Sequence, residues 1–249
     1  MCTNPTLLMR SLFVPLITAA SFTAQGQGNK PAKHFKPIQI GINFSPDYDF
    51  RTLKNNDGSS SGDLVIKSRN DIEAVKFGYT AGFNICINFS QLAGLETGIQ
   101  YTNKGYKTKK QALFYAPPNP GLPVNSKSIY SYQYIGIPLK VKFGFGNGKV
   151  SFLSSVGLMA NFLLNVKHTS IYEYSDNRTE KKKQSTTAGF KKVDISPMIS
   201  AGIDYKISSR VHLTAEPTFR YGIIKTTDTP VTENLWSAGL NIGAYYSLK

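Results

Sequence analysis

The sequence predicts an all-β protein, an eight-stranded antiparallel up-and-down transmembrane β-barrel. Three observations carry that prediction. Eight segments alternate apolar with small or polar residues at a period of two, the signature of strands with two unlike faces. Short and long connections alternate between those segments, the layout of a barrel with tight periplasmic turns and long extracellular loops. The apolar positions of the eight segments hold no Asp, Glu, Lys or Arg.

The first segment sets Ile38, Ile40, Ile42 and Phe44 against Gln39, Gly41, Asn43 and Ser45. The second, "KFGYTAGFNICINF" from Lys76 to Phe89, sets Phe77, Tyr79, Ala81, Phe83, Ile85, Ile87 and Phe89 against Gly78, Thr80, Gly82, Asn84, Cys86 and Asn88. The third runs from Leu95 to Thr102 and the fourth from Ile135 to Phe145. The fifth, Val150 to Val166, puts Phe152, Val156, Leu158, Phe162 and Leu164 on its apolar side. The sixth spans Val193 to Lys206, the seventh Val211 to Tyr221 and the eighth Trp236 to Ser247. Ser90-Gln91, Gly146 to Gly148 and Ser208-Ser209 read as tight turns. Residues 46–75, 105–127, 167–189 and 225–233 read as the long loops, all at one end. Pro138, Pro197 and Pro217 fall inside strands, where each removes a ladder hydrogen bond, so local bulges are expected there.

Charge decides which face meets oil. An eight-stranded interior holds only a packed layer of side chains, too little room for all the rings on the apolar faces. Turned outward in water, so large an apolar surface would aggregate. In lipid, a mid-depth Lys or Arg costs about 2–4 kcal/mol, which fits the absence of charge. The opposite face reads as the lumen. It carries Glu96, Asp194, Asp204 and Glu216 against Lys140, Lys142, Lys206 and Arg220. Buried charges persist when paired, so these eight residues are expected to form a structural network, with Glu96 near Lys140 or Lys142. Tyr130, Tyr132 and Tyr134 have inward parity; either a bulge turns them or they cap the lumen near the loops. Aromatics cluster at both ends of the strands. Phe77, Tyr79, Tyr101, Phe219, Tyr221 and Trp236 lie toward the loops, and Phe89, Phe143, Phe145, Phe152, Tyr205 and Tyr246 toward the turns. Two interfacial girdles are expected.

The N-terminus reads as an export signal. Arg10 precedes the short apolar run "SLFVPLITAASF", and small residues at Ala24 and Gly26 allow cleavage before Gln27. Residues 1–26 are therefore expected to be a signal peptide and 27–249 the outer-membrane barrel domain. Cys2 would leave with the signal. Cys86 alone would remain, so no internal disulfide is expected. No stretch is long and apolar enough for a transmembrane helix, which does not exclude barrel strands.

"YIGIPLKVKFGFG", Tyr134 to Gly146, resembles the fourth-strand signature of the PorT-like outer-membrane β-barrel proteins, most of all in Ile137-Pro138-Leu139 followed by an inward Lys. "ISAGIDYKIS" and "LTAEPTFRYGI" resemble that family's sixth and seventh strands, with Glu216, Arg220, Tyr221 and Gly222 at its usual positions. The resemblance covers nearly the whole mature chain. It implies the barrel fold and the outer membrane of a Gram-negative bacterium, and it implies no chemistry. Two departures stand out: Gly136 replaces a usual acid, and the chain ends Ser247-Leu248-Lys249 instead of on an aromatic.

No phosphate loop, HExxH, GxSxG or CxxC occurs, so no cofactor or metal is expected. His34 precedes the first strand, and His212 reads as a hydrogen-bonded inner-face residue. His168-Thr169-Ser170 lies at the outer end of the fifth strand, where His168 has outward parity. A lipid-A-modifying hydrolase with Ser170 as nucleophile and Glu173 nearby is a weak alternative, because a serine nucleophile needs a base and an orienting third group. The chain has 29 Lys+Arg against 15 Asp+Glu, a formal charge of +14. The excess lies in the loops, at Lys107, Lys109, Lys110 and Lys127, and at Lys181-Lys182-Lys183. Such loops suit lipopolysaccharide phosphates, outer-membrane lipid or a protein partner; nucleic acid is not expected. The sequence thus points to a non-catalytic structural, adhesive or accessory barrel. A narrow channel for ions or small solutes is the alternative of another class.

Overall fold

The computed structural model describes residues 38–248 except Gln91, Pro118 and Asn147. The expected export segment 1–26 and His34 lie outside the described residues, as do one position in each of two predicted turns. The elements run β1 (Ile38–Asn55), α1 (Ser60–Ile72), β2 (Glu73–Asn88), β3 (Ala93–Thr108), β4 (Gln111–Ala112), β5 (Asn125–Phe145), β6 (Val150–Glu173), β7 (Thr179–Thr186), β8 (Val193–Lys206), β9 (Val211–Tyr221) and β10 (Val231–Ser247). Eight of the strands close a ring in the order β1-β2-β3-β5-β6-β8-β9-β10, and β10 returns to β1 from Gln39↔Ser247 to Asn55↔Val231. β4 adds to the free end of β5, and β7 to that of β6. Closure leaves the membrane-spanning strands without an unpaired edge, which lipid requires.

The ring strands occupy the predicted segments and extend beyond them toward the loops. β1 continues through Ser45, Asp47, Asp49 and Arg51, all buried, against exposed Phe44 and Tyr48. Much of the expected loop 46–75 is therefore strand, followed by α1. Ser59 caps that helix by accepting a hydrogen bond from the Gly62 N–H at 3.0 Å. Part of 167–189 is likewise the β6–β7 hairpin, whose tip holds Asn177 at φ 63°, a conformation Asn tolerates.

The expected bulges at Pro138, Pro197 and Pro217 are not there. Pro138 pairs with Met159, Pro197 with Leu158 and Pro217 with Leu240, each within an unshifted register. A proline lacks one N–H and so weakens pairing to one neighbour only. The ladder to that neighbour skips from Thr97↔Leu139 to Gln100↔Gly136, and from Ser200↔Thr218 to Ile203↔Ala215, without slipping.

Register shifts occur elsewhere, between Val75 and Tyr79 and between Gln133 and Tyr134. The second has a consequence for β6. Gln133 pairs with Asn165 and Tyr134 with Leu163, so Leu164 is the extra residue and parity reverses beyond it. Val166 is accordingly buried, and His168 stacks on Tyr130 with ring centroids 4.5 Å apart. The outward placement of His168 is therefore corrected: it faces the axial side of the sheet, away from lipid.

The outer wall is apolar. Phe83 is 72% exposed, Ile99 61% and Ile199 61%, against the burial rule of a water-soluble protein. From Tyr79 to Phe89, or from Ile135 to Phe145, the band is about ten residues long. At ~3.3 Å per residue and a tilt of about 40° it projects to roughly 25 Å, the hydrocarbon span of such barrels. Rings group at its ends: Tyr48–Phe77 (4.5 Å), Tyr79–Tyr101 (5.9 Å) and Phe219–Trp236 (6.1 Å) on the loop side, Phe145–Phe152 (6.2 Å) on the turn side.

The narrow ring forces close backbone approach inside. A Cβ on Gly157 would stand 2.2 Å from the Leu139 carbonyl oxygen and 2.7 Å from the Lys140 Cα. Backbone cannot yield there without opening the β5–β6 ladder. Gly157→Val is expected to destabilise the barrel by about 2 kcal/mol or more, measured as a lower urea midpoint in lipid vesicles; an unchanged midpoint would show that β5 and β6 tolerate a side chain there.

Candidate functional site

The chemistry-bearing side chains gather in the lumen, in layers. Near the turns His212 lies 3.3 Å from Asp204 through Nδ1 and 3.3 Å from Ser247 Oγ through Nε2. Above it sits Glu96, fully buried on β3. Lys140 Nζ lies 2.5 Å from Glu96 Oε1, Lys142 Nζ donates to Oε2 at 2.9 Å, and the Tyr245 hydroxyl donates to Oε2 at 2.9 Å. Lys142 is also 3.9 Å from Glu216, which accepts from Ser200 at 2.7 Å. An amide layer follows: Asn43 donates to Asn241 (2.8 Å), Asn84 to Asn43 (3.0 Å) and Gln100 to Asn84 (2.9 Å).

Next comes Asp47, which accepts from Ser45 (2.6 Å), Thr80 (2.7 Å) and Arg220 (3.2 Å). Toward the loops Asp194 accepts from Lys104 (2.9 Å), Ser196 (2.9 Å) and Asn161 (3.3 Å).

Of the eight charges named from sequence, the structure brings Glu96, Lys140, Lys142 and Glu216 together. The other acids and Arg220 find partners that parity counting did not name: Asp47 for Arg220, Lys104 for Asp194, His212 for Asp204. Lys206 makes no ion pair among the described residues. Asp47 falls in the expected loop 46–75, and Lys104 lies between the expected third strand and the loop that follows it. Their signal was the period-two pattern running on past Pro46 and Thr102.

Aromatic side chains pack together at the loop end of the lumen. Tyr106, Tyr132, Tyr134, Val166 and Leu235 form a buried cluster, with Phe50, Tyr130, Leu163 and Phe190 packed against it. The three tyrosines of β5 cap the lumen, the second of the two expected outcomes. An ionic latch lies over them. Arg51 donates to Glu73 (2.6 Å) and Asn70 (2.7 Å), and Arg69 donates to Glu73 (2.6 Å) and Glu233 (2.7 Å). Tyr132 donates to Glu233 at 2.5 Å. Arg69 is the anchor of α1. Burial works against its charge, but Glu73, Tyr106 and Glu233 together hold the guanidinium above its ordinary pKa. Nothing in the sequence of this loop marks the latch, because its members come from α1, β1, β2 and β10.

His168 Nε2 and Ser170 Oγ are 3.5 Å apart, beside Tyr130, while Glu173 is ion-paired with Lys110. Among the described residues no carboxylate is hydrogen-bonded to His168, whereas a serine nucleophile's base needs an orienting third group. Among the described residues no group of His, Cys, Asp and Glu is placed to hold a metal ion, and no helix is long and apolar enough to cross a membrane.

Comparison with curated proteins gives no match. Among solved structures, Neisserial surface protein A is similar at 14% identity and a TM-score of 0.43, covering 85% of this chain and 97% of its own. OprG from Pseudomonas aeruginosa is similar at 12% identity and 0.45, covering 85% and 97%. Ail, the attachment invasion locus protein of Yersinia pestis, is similar at 12% identity and 0.34, covering 85% and 100%. The model of the family described as outer membrane protein beta-barrel domain matches residues 23–228. With its closed ring of eight strands, apolar wall and polar interior, the chain belongs to that family and is a protein of the Gram-negative outer membrane.

Proposed function

We propose that this barrel does not conduct and acts from its extracellular side as a structural, adhesive or accessory component. One observation carries the reading: the lumen is crossed by hydrogen-bonded layers and sealed at the mouth by the tyrosine cluster under the Arg51–Arg69–Glu73–Glu233 latch. The charged layers, from Glu96, Lys140 and Lys142 to Asp194, Asp204, Lys206, Glu216 and Arg220, then serve to hold the cylinder together and carry no solute. What remains accessible is the material above the membrane: α1, the β6–β7 hairpin and the basic connections, which suit outer-membrane lipid, lipopolysaccharide or a protein partner.

Within the family we place the chain with the PorT-like barrels, on Tyr134 to Gly146 and on Glu216, Arg220, Tyr221 and Gly222. The departure at Gly136 has a steric counterpart. A Cβ there would meet the Met159 sulfur at 2.9 Å and Asn161 Oδ1 at 3.1 Å, and Glu96 already serves both lysines.

Planar-bilayer recording of the purified mature protein tests the reading. A flat baseline is expected across the voltage range. Discrete steps of reproducible size would establish the narrow-channel alternative in its place.

A further inference from the structure

The outward face of the sheet above the membrane carries a charge pattern that the lumen does not explain. On β5 the outward residues run Phe143, Val141, Leu139, Ile137 and Ile135 through the membrane band, then Gln133 and Ser131, then Ile129 and Lys127. The neighbouring strands follow the same course. On β3 they rise from Tyr101 to Asn103 and Lys107; on β6 they rise from Leu164 past the bulge to Asn165 and Lys167. Asn165 donates to Gln133 at 3.4 Å, joining a polar belt just above the apolar wall.

The register then places Lys107 beside Ile129, Ile129 beside Thr169 and Thr169 beside Lys183, with Lys127 beside Ile171 and Ile171 beside Lys181. The axial face holds the alternate residues, among them Tyr130, His168, Ser170 and Lys182. Lys107, Lys127, Lys167, Lys181 and Lys183 therefore share one face of β3, β5, β6 and β7. Among the described residues none of the five makes an ion pair. The acid on that face, Glu173, is at its far rim and bound to Lys110. Lys167 is roughly 10 Å along the strand above Leu164, and the other lysines stand higher.

We infer that this face binds the phosphate groups of outer-leaflet glycolipid headgroups. The face is continuous with the lipid-contacting wall, so a lipid whose chains lie against Phe162 and Leu164 holds its headgroup beside Lys167. Five cations without acidic partners complement a multiply phosphorylated headgroup, and each Lys near a charged membrane surface adds to such binding. Half-buried Ile129 and Ile171 lie between the lysines and give the sugar ring an apolar seat. The inference rests on the outer-membrane placement and is independent of whether the lumen conducts.

The test uses the mature chain in phosphatidylcholine nanodiscs with bisphosphorylated lipid A, or with the same lipid A after phosphatase treatment. Native mass spectrometry then counts the glycolipid that stays bound. The wild type should retain the phosphorylated form about ten-fold or more over the dephosphorylated form. Lys127→Gln/Lys167→Gln/Lys183→Gln should lose that preference. A control of equal charge change, Lys182→Gln/Lys191→Gln/Lys225→Gln, should keep it. A heat-dependent gel shift confirms that both variants are folded barrels. Equal retention of the two lipids by the wild type overturns the inference, and so does an equal loss in both variants, which would reduce it to net charge. If lipid A phosphates are ignored while a soluble sulfated oligosaccharide binds the wild type and not the first variant, the face is a glycan site and the inference falls.

Discussion

Glu96→Ala is expected to destabilise the barrel by about 3–5 kcal/mol, the cost of leaving buried charge uncompensated. Glu96 is fully buried, ion-pairs with Lys140 and accepts hydrogen bonds from Lys142 and Tyr245. Removing it leaves Lys142 with Glu216 at 3.9 Å and leaves Lys140 without a carboxylate. Water cannot easily replace the lost acid, because the amide layer of Asn43, Asn84, Gln100 and Asn241 lies above. Urea unfolding in lipid vesicles, followed by gel mobility, measures the change. The double change Glu96→Leu/Lys140→Met should recover part of the loss, since it removes one charge of each sign and leaves Lys142 with Glu216. A single substitution that costs less than about 1 kcal/mol would mean that the lumen is wet and screening.

Phe83→Arg is expected to cost about 2–4 kcal/mol, the penalty for a cation at the bilayer midplane. Phe83 is 72% exposed and lies midway between Tyr79 and Phe89, opposite Ile42 and Ile99. Nothing inside the protein is disturbed by the exchange, so the whole effect measures the solvent. The contrast is with the same protein in a zwitterionic detergent micelle, where water reaches the wall and the penalty should shrink. A Phe83→Arg protein as stable in lipid as the wild type would show that this wall is not embedded.

Together these two substitutions probe the assignment of faces, and that assignment was legible in the sequence. Alternation at a period of two, with charge confined to one parity, by itself places Phe83 outside and Glu96 inside. The proximity of Glu96 to Lys140 and Lys142 follows from strand order, because hairpin-connected neighbours in an up-and-down barrel must pair. Arg220 with Asp47 was not legible in the same way. They lie on β9 and β1, which are not paired with each other but flank β10, and they meet over its inner face once β10 has closed the ring onto β1. His168 shows a second limit. One extra residue, Leu164, reverses parity along the rest of β6, and a bulge of this kind leaves no mark in hydrophobic periodicity. The prolines show the converse: they announce irregularity, yet each removes a donor toward one neighbour while the other ladder keeps the register.

What the sequence alone determined is the cylinder: strand count, the end at which the long connections lie, which face meets lipid and where the girdles stand. These follow from local period and from the cost of charge in oil, both readable residue by residue. What only the tertiary structure decided is the tyrosine cluster with its ionic latch at the loop end and the gathering of Lys107, Lys127, Lys167, Lys181 and Lys183 on one face. The latch draws Arg51, Arg69, Glu73 and Glu233 from four elements, and the lysines come from β3, β5, β6 and β7. Such groupings depend on register across a sheet and on the bulge that resets it, and those are properties of paired backbones that no single segment encodes.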